Sequence, residues 1–131
     1  MPDAGASSMR VDIVVVGAGP AGIAAAVAAS GAGRSVVVLD ASPRPGGQVW
    51  RHRDRASLPS VARMWLDRLD RSGATVLCGA QVVDAGPGAR IAAEHQGRAL
   101  TVEAQAVILA TGAQELLLPF PGWTLPGVVG V

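Results

Sequence analysis

A strand, a glycine-rich turn, a helix and a second strand follow one another near the start of the chain, and this order limits the fold more than any other feature. Residues 11–16 (VDIVVV) form a β-branched run without polar alternation, typical of a strand buried in a parallel sheet. The glycine-rich segment 17–22 follows, then alanine-rich residues that favour a helix ending near Gly31. A second β-branched run, 35–39, completes a right-handed βαβ unit. The sequence predicts an α/β fold with these strands as parallel neighbours.

The turn has the glycine spacing G-x-G-x-x-G, at Gly17, Gly19 and Gly22. The spacing alone is weak, because 17 of the 131 residues are glycine. Its place between a strand and a helix, with Asp40 closing the second strand, matches the arrangement that binds dinucleotides. We expect Gly17 to permit the tight turn, Gly19 to admit a pyrophosphate, and Gly22 to allow close helix packing.

The start of the predicted helix supplies the other half of this site. Pro20, Ala21 and Gly22 lie where free N–H groups and a partial positive charge would face the phosphates. Asp40 would accept hydrogen bonds from the adenosine ribose hydroxyls. The alternative is a glycine turn in an α/β domain that binds no nucleotide.

A long loop and an amphipathic helix follow the second strand. Residues 41–58 are rich in Pro, Arg and Gly, and long loops in compact domains usually serve a site. Pro59 can open the helix, which ends at Gly73. Its polar face carries Asp67 and Asp70, which we interpret as surface partners of arginines one turn away. The apolar face is predicted at Val61, Met64, Trp65 and Leu69.

The second half of the chain predicts strands. Thr75–Cys78 forms a third strand, and residues 81–103 contain three short strand-like pieces, the last at Ala99–Val102, separated by GPG and HQG. They predict a small antiparallel meander in place of a crossover helix. A separate buried strand is expected at 106–110. The segment 114–131 is apolar with three prolines, so we expect an exposed linker toward a following domain.

Composition excludes several classes of protein. A net charge of +1 without a long basic run argues against nucleic acid binding. No apolar run approaches the ~20 residues that span a membrane. One cysteine, Cys78, and two histidines cannot form a disulfide framework or a structural zinc site. Residues 1–9 lack the basic start of a secretory signal, so we expect a disordered extension and a cytoplasmic protein.

Several of these segments together resemble a known family. VVVGAGPAGIAAA, the D-x5-GG pattern from Asp40 to Gly47, the meander, and VILATGA at 107–113 are similar to the FAD domain of the two-dinucleotide-binding flavoprotein superfamily, that is, the pyridine nucleotide-disulphide oxidoreductase-like proteins. Within it, RPGGQVWR at 44–51 and residues 110–130 most resemble the larger subunits of opine oxidases, hydrogen cyanide synthase and dye-linked proline dehydrogenase. The resemblance covers residues 10–131.

The resemblance implies FAD as the cofactor, with NAD(P) as the alternative, and a Rossmann-like domain over residues 10–131 that is incomplete at its C-terminus. The chain resembles an N-terminal fragment, because members of that group are several times longer. Asp40 stands where glutamate is commoner in the family. The further cofactor-binding residues that the resemblance implies are Ala41, Gly46, Gly47, Gln48, Val82, Ala110, Thr111 and Gly112.

The functional expectation is a piece of an FAD-dependent oxidoreductase. In the resembled group an amino acid, opine or amine is oxidised, often on a partner subunit, and the subunit of this type passes the electrons onward. A second oxidoreductase subunit or a missing domain is therefore the partner that the resemblance implies. No side chain here is a convincing acid, base, nucleophile or metal ligand, and Arg51 is interpreted as a solvated loop charge. The predicted role is therefore to bind and orient the cofactor. Two alternatives stay open: an NAD(P)-binding dehydrogenase domain, and a truncated Rossmann-like product acting only as an interaction module.

Overall fold

The fold is built on a six-stranded mixed sheet, seen in a computed structural model that describes residues 6–113, 120–122 and 124–127. The strands are β1 Ser7–Val16, β2 Val36–Asp40, β3 Thr75–Cys78, β4 Ala80–Gly86, β5 Arg90–His95 and β6 Arg98–Leu109. Their order across the sheet is β3-β2-β1-β6-β5-β4. The helices are α1 Pro20–Gly31, α2 Ser60–Arg71 and a 3-10 turn, η1 Arg55–Ser57.

The parallel half of the sheet follows the predicted βαβ order. β1 pairs in parallel with β2 on one side and with β6 on the other, and β2 pairs with β3. β1 and β2 are therefore parallel neighbours, as predicted. The carboxyl ends of these strands meet at one edge, where ligands bind in sheets of this kind.

The sheet lies between two hydrophobic layers, because successive side chains of a strand point to opposite faces. Val15 packs with Ile23 of α1 and Leu66 of α2 on the helical side. Val14 packs on the other side with meander residues such as Val102. The fold is therefore Rossmann-like, with the predicted meander of β4, β5 and β6 replacing a crossover helix.

β6 differs from the prediction, which separated a meander strand at Ala99–Val102 from a buried strand at 106–110. One strand runs unbroken from Arg98 to Leu109. It pairs antiparallel with β5 at its start and parallel with β1 along its length. The intervening residues contain no glycine or proline to end a strand. The burial expected at 106–110 holds only in part: Val107, Ile108 and Ala110 are partly buried against the core. Leu109 is 75% exposed.

The buried face of α2 is also rotated from the predicted one. Ala62, Leu66 and Leu69 are buried, at the spacing i, i+4 and i+7. Of the predicted face, Leu69 is buried and Trp65 packs against the core, as expected. Val61 and Met64, which the periodicity also predicts to be buried, are 49% and 41% exposed. One turn further along the helix, the row of side chains through Val61 and Met64 reaches Arg68. The row through Ala62 and Leu66 reaches Leu69 and is apolar at every turn.

The predicted disordered extension over residues 1–9 is wrong for its last part. Ser7–Met9 belong to β1 and pair with Leu100–Val102 of β6. The long β6 offers these residues backbone partners beyond the start of β2, and this pairing orders them. Residues 1–5 lie outside the described residues.

Most of the apolar segment 114–131 lies outside the described residues as well, including Trp123. The two large apolar side chains described there, Phe120 and Leu125, are 51% and 63% exposed, as expected. Within the described ranges, no helix is long and apolar enough to cross a membrane.

A polar cluster joins β1, β6 and the residue that precedes β2, at the sheet edge opposite the glycine turn. Asp12 Oδ2 accepts a hydrogen bond from the backbone N–H of Ser35, at 2.8 Å, and another from its hydroxyl, at 3.0 Å. The Gln105 amide donates to Asp12 Oδ1 at 3.1 Å. The two hydrogen bonds from Ser35, that of its backbone N–H first, hold the pKa of Asp12 below its usual value.

This cluster predicts a loss of stability in acid. A lowered pKa in the folded state means that Asp12 stabilises the fold above the usual aspartate pKa, and that this contribution is lost as pH falls through the folded-state value. We expect Asp12→Asn to lower the denaturation midpoint at neutral pH. The difference from the wild type should shrink in acid. Denaturant titrations at pH 7 and pH 2 measure this, and a gap that is the same at both pH values contradicts it.

Candidate functional site

The glycine turn lies at the carboxyl end of β1, between two strands that hold it. Gly17 N donates to Leu39 O and Ala110 N donates to Val16 O, both at 2.8 Å. Gly17 has a φ of 102°, and a Cβ there would lie 2.3 Å from the oxygen of Ala110. Gly22 faces inward, where a Cβ would lie 1.8 Å from the oxygen of Gly17. The packing of the backbone therefore requires glycine at both positions, whether or not a ligand binds.

Gly19 is different from its neighbours in the motif. Its φ of −74° and ψ of −177° suit any residue. The nearest described atom to a Cβ there would be the Cα of Gly47, at 3.9 Å. Folding therefore does not require glycine at position 19, and the missing side chain leaves open backbone on the outer side of the turn.

The start of α1 faces the same space. Gly19 is the N-cap and provides no side-chain hydrogen bond, and the first turn contains no acidic residue. The N–H groups of Ala21 and Gly22 lie in the first turn, where a helix supplies no partner. Together with the helix dipole, they form a place for an anion.

Asp40 is a buried carboxylate at the end of β2. Its Oδ2 accepts from the N–H of Ala18 at 2.5 Å, and its Oδ1 accepts from the N–H of Ser42 at 2.7 Å. Asp40 therefore joins the glycine turn to the start of the loop. Each carboxylate oxygen has a second lone pair that a ligand hydroxyl can use.

The second glycine pair packs directly on the first turn. Gly46 N donates to Ala18 O at 2.7 Å. Gly46 has a φ of 130° and Gly47 a φ of 60°. A Cβ at Gly47 would lie 2.8 Å from the Cα of Gly19, and one at Gly46 would lie 2.5 Å from the oxygen of Trp50. The D-x5-GG pattern thus brings the loop into backbone contact with the turn.

These segments surround a cavity of about 600 Å³ at the carboxyl edge of the parallel strands. Of the predicted residues, Ala21, Gly22 and Gly46 do not line it: Gly22 and Gly46 pack against backbone instead. The predicted residues that line the cavity are Gly17, Gly19, Pro20, Asp40, Ala41, Gly47, Gln48, Val82, Ala110, Thr111 and Gly112.

Sequence reasoning missed other lining residues. They lie beside predicted positions, at strand ends or in the loop, so the rule that ligands bind at the carboxyl ends of parallel strands could have identified several of them. The most important of these unpredicted lining residues is Arg51. Its place in the loop predicts only a solvated charge. The missed lining residues are Val16, Leu39, Ser42, Val49, Arg51, Ala80, Gln81 and Ala113.

The other charged residues that we considered lie away from this cavity. Asp67 and Asp70 form surface ion pairs, as predicted, but their partner is Arg55 of the loop, at 3.5 Å and 2.6 Å, and not an arginine of α2. The hydrogen bond with Asp70 is the main cause that raises the pKa of Arg55. Cys78 is half-buried, and burial raises the pKa of its thiol.

Comparison with known sequences gives the same assignment as the motifs. Residues 11–130 match the family described as pyridine nucleotide-disulphide oxidoreductase. An opine oxidase subunit from Agrobacterium tumefaciens (strain Ach5) is 42% identical over 135 residues, covering 90% of this chain and 27% of that protein. Hydrogen cyanide synthase subunit HcnB of Pseudomonas aeruginosa is 36% identical, covering 92% and 28%. The chain spans about a quarter of the length of these relatives.

Solved structures are similar in fold. L-proline dehydrogenase from P. horikoshii superposes with a TM-score of 0.68 at 21% identity, covering 88% of this chain and 25% of that one. Thioredoxin reductase from Streptococcus pyogenes MGAS5005 gives 0.60 at 24% identity, covering 83% and 37%. The family match extends over most of the chain, and the resemblance predicted from the sequence is confirmed: the chain belongs to the pyridine nucleotide-disulphide oxidoreductase family.

Proposed function

We propose that this chain binds FAD in the cavity above the glycine turn and forms the flavin-binding part of an oxidoreductase. The substrate class that we propose is amino acids, opines or amines, by likeness to the subunits of opine oxidase and hydrogen cyanide synthase. Because both relatives are named as subunits, we also propose that a second subunit or domain takes part in the reaction and the onward transfer of electrons. A cytoplasmic location is part of the same proposal.

The observation that carries the proposal is the open backbone at Gly19. Glycine there is not needed for folding, since the backbone is ordinary and a Cβ would touch nothing closer than 3.9 Å. A ligand that must approach the main chain closely explains it. The free N–H groups of Ala21 and Gly22 beside it select an anionic group, and a diphosphate fits that description.

The resemblance of the D-x5-GG pattern from Asp40 to Gly47 and of VILATG at 107–112 to the FAD domain favours FAD over NAD(P). Two structural features fit a dinucleotide that extends well beyond its diphosphate. The pair Gly46 and Gly47 packs on the first turn through the 2.7 Å hydrogen bond between Gly46 N and Ala18 O, which adds a second backbone segment beside the diphosphate position. The cavity continues past it to Gln48 and Thr111, leaving room for a ligand that extends beyond the diphosphate. A flavin ring at that end would be bordered by the loop and by the residues after β6.

The chain's own residues would bind and orient the cofactor. Bound FAD would supply the redox chemistry of its isoalloxazine ring. Of the described residues that line the cavity, Asp40 and Arg51 are the ionisable ones. Asp40 accepts two backbone hydrogen bonds, which suits it to position a ribose and not to move a proton. We therefore assign no catalytic side chain among the described residues.

A comparison of the affinities for three dinucleotides tests the proposal. The purified 131-residue chain is dialysed against FAD, NAD⁺ and NADP⁺ separately, and the bound fraction of each is measured. We expect FAD to bind at least tenfold more tightly than either nicotinamide dinucleotide. Tighter binding of NAD⁺ or NADP⁺ would favour the dehydrogenase alternative. If none of the three dinucleotides binds, the alternative of a Rossmann-like product that acts only as an interaction module is favoured.

A substitution at Asp40 should affect stability and binding together. Asp40→Ala removes the acceptor for the N–H groups of Ala18 and Ser42, and the bond to Ala18 is buried. We expect a loss of about 1–3 kcal/mol in the free energy of unfolding and FAD binding weakened about tenfold or more. Urea titration and FAD titration measure the two effects. The control is Glu94→Ala, at an exposed meander position whose side chain makes no hydrogen bond or ion pair with the described residues, and it should change neither.

A further inference from the structure

Arg51 is the positively charged side chain on the cavity wall. Ion pairs among the described residues involve Arg10 and Arg55, and none involves Arg51. Its side chain is exposed, yet the residue lines the cavity together with Gly19 and Gly47. A guanidinium that borders an anion site without a carboxylate of its own to bind is available to a ligand.

The backbone of Arg51 is held on both sides. Trp50 packs against the helix-side core, and its N–H donates to the oxygen of Gly46 at 3.0 Å. The Nδ1 of His52 lies 2.8 Å from the oxygen of Trp50. Gly46 is itself hydrogen-bonded to Ala18 of the glycine turn. These contacts therefore fix the backbone position of Arg51 relative to that turn. The arginine can therefore act on a ligand at that turn without rearrangement of the loop.

Other arginines of the same loop are placed differently. Arg44 donates through its guanidinium to the backbone oxygen of Arg53, so it stabilises the loop from within. Arg53 itself lines neither the main cavity nor a smaller one of about 190 Å³ beside it. Arg51 lines both, together with Ser42 and Gly47. Arg53 is therefore a matched control for Arg51, with the same charge two residues away.

We propose that Arg51 binds the diphosphate of the dinucleotide from the side opposite the start of α1. The inference rests on the proposed function and adds a specificity residue to it. A diphosphate carries more charge than the N–H groups of one helix turn can offset, and the buried carboxylate of Asp40 at the same cavity opposes it further. A guanidinium supplies charge and paired donors that suit phosphate oxygens.

Ligands with and without phosphate groups separate this role from a structural one. Binding of FAD, ADP and adenosine is measured by calorimetry for the wild-type chain, Arg51→Gln and Arg53→Gln. We expect Arg51→Gln to weaken FAD and ADP binding about tenfold or more and to leave adenosine binding unchanged. Arg53→Gln should bind all three as the wild type does. Added salt should weaken ADP binding less in Arg51→Gln than in the wild type, because one charge contact is missing.

Three outcomes overturn the inference. Equal ADP binding by Arg51→Gln and Arg53→Gln removes Arg51 from the site. An equal loss of ADP and adenosine binding in Arg51→Gln means that the side chain supports the loop and not the phosphates. Failure of the wild-type chain to bind both FAD and ADP contradicts the proposed function, and the inference with it. Partial retention of ADP binding by Arg51→Lys, which keeps the charge without the paired donors, supports it.

Discussion

Replacing Gly22 by alanine is expected to destabilise the protein by about 3 kcal/mol or more, although alanine is the better helix former. Gly22 lies in α1, where alanine gains up to about 1 kcal/mol over glycine from helix propensity alone. A Cβ at this position would lie 1.8 Å from the oxygen of Gly17. That oxygen belongs to backbone at the end of β1, held between β2 and the end of β6, so the overlap can be relieved only by moving the helix.

The control for this prediction is Gly31→Ala, at the other end of the same helix. A Cβ at Gly31 meets no described atom within 4 Å, so the substitution should be neutral or slightly stabilising. Urea denaturation of the three proteins gives the free energies of unfolding. Similar values for Gly22→Ala and Gly31→Ala would show that the close packing of α1 on the turn contributes nothing to stability.

Gly19→Ala is expected to weaken FAD binding about 100-fold or more while leaving stability unchanged. The backbone of Gly19 is ordinary, and the nearest contact of a new Cβ would be at 3.9 Å, so folding tolerates alanine. In the ligand site, the methyl group would occupy the position where the diphosphate comes closest to the main chain. It would separate the phosphates from the N–H groups of Ala21 and Gly22, and charged hydrogen bonds contribute about 1.5–3 kcal/mol each.

Two measurements on the same samples check the Gly19 prediction. FAD titration should show the weakened binding, and urea denaturation without FAD should give the wild-type free energy of unfolding. Unchanged FAD affinity would place the diphosphate away from Gly19. A large loss of stability would mean that position 19 needs glycine for folding, which would remove the main support for the ligand site.

The first βαβ unit was predictable because local patterns determine it. β-branched runs, a glycine turn and an alanine-rich helix each favour one structure, and together they agree. The meander was predictable for the same reason, since the turn residues of GPG and HQG divide it. The continuity of β6 was not, because its end at 106–110 looks like any short apolar strand and only pairing with β1 extends it from Arg98 to Leu109.

The buried face of α2 is a second feature that the sequence alone does not determine. Two stripes of apolar residues lie one position apart, through Val61 and Met64 and through Ala62 and Leu66. Helical periodicity permits both, and the choice depends on which residues meet α1 and the sheet. Tertiary contacts between distant segments decide which stripe is buried, and helical periodicity carries no information about those contacts.

The candidate site was predictable where it follows the glycine turn and less so where the loop supplies it. Gly19 and Asp40 have positions fixed by the βαβ unit. Arg51 looked like one charge among several in the loop, because its position depends on Trp50 packing into the helix-side core. The contact between Gly47 and Gly19 likewise arises only when the loop folds back on the turn.

A crystal structure of the 131-residue chain with FAD tests the central claim most directly. We predict that the diphosphate lies over Gly19, with its oxygens within hydrogen-bond distance of the N–H groups of Ala21 and Gly22, and that the ribose contacts Asp40. Density for the diphosphate elsewhere, with the start of α1 facing only solvent, would contradict the account.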